Sequence, residues 1–488
     1  MSYHQSRLRR ANEKGILREG EYVLYWMQAF RRLSRNHALD YACTCARELK
    51  KPLVVYEGLR YDYPWASERH HRFILEGMRD NKAEAARLGV NYWPFVATEG
   101  ETGRGLLRRL SEKACLVVTD DWPCFIVPGQ IEALARKSER AVFAVDSCSV
   151  VPLSLLGAPV GAAAHLRPRI HKAFAAAFGH RARAEAAFPE QGKRGPEAPF
   201  AVWDGDVLGA LAKVPVDRSV KAVAGVTGGV VAGRERLSEF VTGRLGRYAD
   251  ERSKPASPEE GAASGLSAYL HYGHVSIEEV VERVLVERYG TAEIELGKSG
   301  KRDGFYGGDP NVNGFLDEAI TWRDVGHQWL WSRRGDEESL ARALPGWAMG
   351  TLAKHAGDKR AYLYSSEEWE AGATHDRLWN AAQRELVETG TIHNYLRMLW
   401  GKKVLEWSAS PEEAYRTVVH LNNKYALDGR DPNSYTGMLW CFGLFDRPWA
   451  PERATMGTIR YMSSDNTAKK FKVEGYLRYV AGLGSKAG

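Results

Sequence analysis

The chain has 488 residues, 44% of them hydrophobic and 26% charged, the profile of a soluble globular protein long enough for two or three cores. No apolar run reaches membrane-spanning length, and the basic opening MSYHQSRLRRANEKG has no apolar stretch behind it, so neither a spanning helix nor a secretory signal is read from it. A net charge of +7 suits a polyanionic partner without requiring one. Six cysteines (43, 45, 115, 124, 148 and 441) form no metal-ligand spacing and no dense framework, and read as reduced thiols of a cytoplasmic protein.

The opening arm reads as a mobile terminus or a DNA-touching arm. Strands are predicted at EYVLYWM (21–27), PLVVYEG (52–58), VNYWPF (90–95), CLVVTD (115–120) and AVFAVD (141–146), with helices over 36–50 and 66–87. This alternation predicts an α/β domain over 16–150, built on a five-stranded parallel Rossmann-like sheet. No GxGxxG follows the first strand, so the dinucleotide fingerprint is missing. Residues 151–205 are rich in Ala, Pro and Gly and read as a connector, with a short helix at HLRPRIHKAF and an exposed linker at EQGKRGPEAP.

From 206 to 488 the pattern is all-α. RERLSEFVTGRLGRYADERSKP reads as an amphipathic helix running into a charged loop. The small-residue run before the helix start in AASGLSAYLHYGHVSIEEV is a generic phosphate cradle, because backbone N–H groups and hydroxyls face the anion there. Residues 297–314 form a Gly-rich loop carrying Lys298, Lys301 and Arg302, read as a solvated insertion. FLDEAITWRDVGHQWLW follows as a helix that sets Glu318 and Trp322 four residues apart on one face.

The richest stretch is 374–461. It reads as helices from about Asp376 to Thr389, from about His393 to Trp407, and from Ser410 onward, followed by a long polar loop. His393, Arg397, Trp400, Val404 and Trp407 share one face of the middle helix. A core helix would carry Leu, Ile and Val there; a buried Arg397 needs an anionic or multiply accepting partner. The run LNNKYALDGRDPNSY sets Asn, Asp and basic residues between apolar segments, which suits the edge of a large heteroaromatic ligand. Ten of the fifteen tryptophans lie between Trp322 and Trp449, so the indole-rich chemistry belongs to this half.

LWNAAQ, HNYLRM, KKVLEW, LNNKYALDGRDPNSY and the later Trp440 resemble the class II cyclobutane pyrimidine dimer photolyases of the photolyase/cryptochrome family. YWM, NHALDYA, RHHRFILEGM and VDSCSVVPLSLL resemble that family's N-terminal domain. The resemblance implies a helical FAD-binding catalytic domain and light-driven repair of pyrimidine dimers in UV-damaged DNA. Carried over residue by residue, it assigns FAD contacts to Tyr248, Ser264, Gly265, Leu266, Ser267, Arg397, Asn422 and Asp428. It assigns the lesion pocket to Glu318, Trp322, Met398 and Trp440, with Glu318 steadying the charge that forms on the dimer. Asn422 stands beside the reactive flavin edge, and Trp379, Trp400 and Trp407 form the relay that reduces the flavin in light. Met398 favours the cyclobutane dimer over the (6-4) lesion. A deazaflavin antenna is implied for several class II members, but QAFRRLSRN replaces the family's usual acidic and polar run after YWM. No metal site and no membrane partner are expected, and the chain is read as a monomer. The alternative is a cryptochrome-like photoreceptor without repair activity; the lesion-pocket residues, and a chain ending at GLGSKAG soon after its last predicted helix, favour repair.

Overall fold

A computed structural model describes residues 3–189 and 196–484. The expected linker EQGKRGPEAP falls partly outside the described residues. The chain divides into two compact units whose segments interleave along the sequence: 1–157, 168–241 and 265–308 form the first, and 158–167, 242–264 and 309–488 the second.

The first unit is built on a sheet of β1 (Leu8–Arg10), β2 (Tyr22–Met27), β3 (Leu53–Leu59), β4 (Asn91–Val96), β5 (Ala114–Asp120) and β6 (Val142–Val145), in the order β1-β6-β5-β2-β3-β4. Alternate residues of β2 split between two cores, as the pleat requires. Val23, Tyr25 and Met27 pack with Leu39 and Ala42 of α1 (His37–Leu49) and Ala85 of α2 (Glu68–Leu88). Tyr22, Leu24 and Trp26 pack with Leu110 of α3 (Leu106–Lys113) and Leu134 of α4 (Ile126–Lys137). Helix starts are fixed locally: the Asn36 side chain accepts from the N–H groups of Ala38 and Leu39 at the head of α1.

The sheet corrects the expectation of five parallel strands: it has six, and β1 runs antiparallel to β6, with Leu8 opposite Val145 and Arg10 opposite Phe143. The three residues LRR carry no alternation for a pattern to find. Their place is fixed instead by Arg7, buried, which donates to the carbonyls of Asp146, Ser149 and Val150, and by Arg9, which grips Asp121 at 2.7 and 3.0 Å. The basic opening therefore contributes an edge strand where a mobile arm was expected.

Two further readings change. HLRPRIHKAF belongs to a seventeen-residue helix, α5 (Ala163–Gly179). The Gly-rich 297–314 segment is anchored: Phe305 stacks on His171 at 3.5 Å between ring centroids, Phe305 and Tyr306 are buried, and Pro310 already opens a helix.

In the second unit, α6 (Pro310–Leu316) runs through a π turn, Asp317–Trp322, into α7 (Arg323–Ser332). Then follow α8 (Ser366–Ala371), α9 (Arg377–Thr389), α10 (Asn394–Trp407), α11 (Pro411–Tyr425), α12 (Pro432–Cys441) and α13 (Glu474–Ala481). The long polar loop expected after the third helix of the 374–461 stretch shrinks to 426–431, because α11 runs on to Tyr425 and Asp431 caps α12 by accepting from Asn433 N–H. Small residues let α12 lie close to its neighbours. A Cβ on Gly326 of α7 would meet Thr436 Oγ1 at 2.5 Å, and one on Gly401 of α10 would meet Cys441 Sγ at 2.6 Å. Lys402, also buried, donates to the Cys441 carbonyl at 3.3 Å.

Candidate active site

The close approach of α7, α10 and α12 brings distant residues together. Trp322, at the end of the π turn, stacks on Trp440 of α12 with ring centroids 5.1 Å apart and planes 15° from parallel. Both rings, with Met398 and Glu318, are half-buried where a core residue would be fully buried. A planar base occupies about 3.4 Å of thickness on each side of a stack, so nothing slides between two indoles this close, and a base could stack only on an outer face of the pair. Glu318 is ion-paired with Arg252, and the Arg252 guanidinium also lies 5.8 Å from the centre of the Tyr248 ring. Sequence reasoning missed Arg252, which it left in the charged loop ADERSKP. No local pattern links two residues this far apart in the chain.

On α10, Arg397 donates through one terminal nitrogen to both carboxylate oxygens of Asp428, at 3.1 and 3.4 Å. Its Nε is buried and has no acceptor among the described residues, and neither has Nδ1 of His393 one turn earlier. Burial holds the His393 imidazole down at about 4, so it is neutral at physiological pH. Asn422 is buried on α11 and its amide donates to Ser434 Oγ of α12. Of the polar run, Asn423 and Asp431 serve the chain itself: Asn423 Oδ1 accepts from Arg430 N–H and its amide reaches the Tyr435 hydroxyl. Two buried nitrogens without partners, Arg397 Nε–H as a donor and His393 Nδ1, beside a half-buried guanidinium–carboxylate pair, fit the polar edge of a planar heteroaromatic cofactor.

Tyr248 is buried, with its ring edge-on to Phe315 at 5.2 Å. Ser264, Gly265 and Leu266 form an irregular run leading into the one-turn helix Ser267–His271. Gly265 has φ +69°, a conformation open to glycine, and Gly265 and Ser267 are exposed.

Trp379 and Trp400 stack at 6.3 Å with planes 5° apart, locked by hydrogen bonds from Trp379 Nε1 to the Trp400 carbonyl and from Trp400 Nε1 to Gln383 Oε1, each 3.0 Å. Trp407 is not their ring neighbour. Trp369 of α8, which the sequence reading did not single out, meets Trp379 at 4.9 Å and Trp407 at 6.3 Å. Trp407 in turn touches His375 at 4.6 Å and Tyr364 at 6.0 Å.

In the first unit, part of the run that replaces the expected acidic residues bonds the protein itself, although Gln28 Oε1 and Arg31 Nε are buried without a hydrogen-bond partner among the described residues. Asp120 Oδ2 accepts from the N–H groups of Gln28, Ala29 and Phe30, Gln28 donates to Thr119, and Arg31 pairs with Glu57. Among the described residues there is no cluster of groups able to hold a metal ion, and no helix long and apolar enough to cross a membrane.

No family model matches the chain. It is 33% identical over 484 residues to the deoxyribodipyrimidine photo-lyase of Methanothermobacter thermautotrophicus, covering 98% of this chain and 99% of that protein. The protein of the same name from Oryza sativa is 33% identical, covering 96% and 89%, and that from Potorous tridactylus 30% identical, covering 95% and 82%. Among solved structures, a class III photolyase from Agrobacterium tumefaciens superposes with a TM-score of 0.67 at 17% identity, covering 95% of this chain and 86% of its own. An archaeal photolyase from Sulfolobus tokodaii, solved with two FAD molecules, superposes with a TM-score of 0.60 at 16% identity, covering 95% and 90%. These two share the fold.

Proposed function

Because the chain belongs to the photolyase/cryptochrome family, we propose that it is a class II-type photolyase that repairs cyclobutane pyrimidine dimers in UV-damaged DNA. The reaction is a light-driven lyase reaction, the splitting of two carbon–carbon bonds by an electron lent from reduced FAD. Enzymes that act on a base inside a duplex take it out of the stack, and the dimer is expected to leave the helix in this way.

The observation that carries the reading is the half-exposed Trp322–Trp440 face beside Glu318. An unstacked dimer is apolar on its faces and polar at its edges. The outer face of the stacked indole pair offers it a surface to lie on, and a carboxyl group can meet an edge. Arg252, which pairs with Glu318, holds that carboxyl in place until the dimer competes for it. Met398 would add a pliable apolar side chain to that wall.

Arg397, Asp428 and Asn422 would hold the flavin ring, and Tyr248 with the run Ser264, Gly265, Leu266 and Ser267 would hold the pyrophosphate end. Bound there, FAD would supply the photoexcitable electron donor. Asn422 is a neutral amide, so it can offer either an acceptor or a donor to a ring nitrogen without a change of charge. Trp400, Trp379 and Trp407 would restore the reduced flavin after oxidation. The purified protein is expected to release FAD.

The test is direct. Reduced protein under blue light should restore the absorbance of undamaged thymine in a dimer-containing oligonucleotide. Protein that binds FAD and changes colour in light, yet leaves the dimers intact, would establish the photoreceptor alternative instead.

A further inference from the structure

Resting on the relay just proposed, we propose that Trp369 is an obligatory stepping stone between Trp379 and Trp407. Ring contacts run Trp400–Trp379 at 6.3 Å, Trp379–Trp369 at 4.9 Å and Trp369–Trp407 at 6.3 Å, so among the described ring contacts Trp369 alone touches both Trp379 and Trp407. Trp400, Trp379, Trp369 and Trp407 are each 3% exposed or less, which keeps water from quenching an oxidised ring before the next transfer. Beyond Trp407 the path opens: His375 lies 4.6 Å away and stacks at 3.6 Å on Tyr362, which is 45% exposed.

Trp400 gives one electron to the photoexcited oxidised flavin. Trp379 then refills Trp400, Trp369 refills Trp379, and Trp407 refills Trp369. Each transfer oxidises one indole and reduces its neighbour by a single electron. The last vacancy, on Trp407, is filled by a thiol in solution, which loses one electron and releases its proton to water. A phenyl ring at position 369 is far harder to oxidise than an indole, so the vacancy could not rest there and would return from Trp379 to the flavin.

Trp369→Phe is therefore tested by flash spectroscopy of the flavin-loaded protein, following the tryptophanyl radical and not repair alone. The expected result is loss of the long-lived radical and a severe loss of photoreduction, as in Trp379→Phe. Chemically pre-reduced Trp369→Phe should still split dimers, and its Tm should stay close to the parent's. If packing around the smaller phenyl ring loosens the protein, a ring-fluorinated tryptophan placed at the same position keeps the shape while raising the cost of oxidation, and should shorten the radical lifetime in the same direction. A parent-like radical lifetime in both variants at position 369, with loss in Trp407→Phe, would overturn the proposal while leaving the relay standing: Trp407 would then reach Trp379 directly. Parent-like photoreduction in Trp400→Phe would overturn the relay reading itself, and this proposal with it.

Discussion

Glu385→Gln should remove a pH dependence built into the second unit. Glu385 lies on α9, 4% exposed, where its Oε2 accepts from the Tyr476 hydroxyl of α13 at 2.8 Å and from His393 N–H at 3.2 Å. Burial pushes its carboxyl up from 4.5 to about 7, while both hydrogen bonds and the Arg397 charge pull the other way. Between those values the folded chain keeps a proton that the unfolded chain has released. Stability therefore falls as pH rises from 4.5 to about 7, and the full penalty is in place above that window. At about 1.4 kcal/mol per pH unit, the penalty is of order 3 kcal/mol. Glutamine keeps a carbonyl oxygen for both donors and cannot ionise. The variant should match the parent at about pH 4 and exceed it by roughly 3 kcal/mol at about pH 8, read as a Tm difference that opens with pH. Parallel Tm curves for parent and variant across the window would refute the reasoning, because they would mean that Glu385 is already ionised in the folded chain at the acid end.

Trp322→Ala and Trp440→Ala should each weaken binding to dimer-containing DNA by about 1–3 kcal/mol, with binding to undamaged DNA unchanged because phosphates dominate that term. Since the two rings stack on each other, the double variant should lose less than the sum of the singles; additive losses would separate the rings into two independent contacts. Gly326→Ala forces a Cβ against Thr436 Oγ1 at 2.5 Å and Asn433 Oδ1 at 2.9 Å. It should cost about 1–3 kcal/mol by thermal denaturation. Gly350→Ala, in the helix Gly346–Lys354 with nothing within 4 Å of its added Cβ, should be neutral or gain up to about 1 kcal/mol.

The five parallel strands were legible because each is an apolar run buried on both faces, and that signal does not depend on the rest of the chain. β1 was not, since its position comes from Arg7 and Arg9 reaching carbonyls and a carboxylate more than a hundred residues away. The indole spacing at Trp379, Trp400 and Trp407 could be read from sequence, but Trp369 is a lone apolar residue in SEEWEA. The one local signal there was the capping box of Ser365 and Glu368, which marks a helix without saying what it packs against. Glu385 looked like any surface acid of an amphipathic helix; only the arrival of Tyr476 from the last helix buries it. The polar run after Leu421 was over-read as loop because Asn and Asp signal turns and caps alike, and here Asp431 acts as a cap.

The π turn at Asp317–Trp322 bears on how this stretch tolerates a change of length. A π turn is an α-helix that has taken in one residue too many. Removing one residue, which ordinarily breaks a helix's register with its surroundings, would here restore regular winding and mend the backbone hydrogen bonds. The cost would fall inside the turn: its six residues wind through about as much angle as five α-helical ones, so the flanking helices would keep their phase while the side chains between them are re-aimed. Glu318 and Trp322 lie within the turn, so the helix would survive and their common outlook would not. A one-residue deletion here should leave a folded protein that has lost its aim.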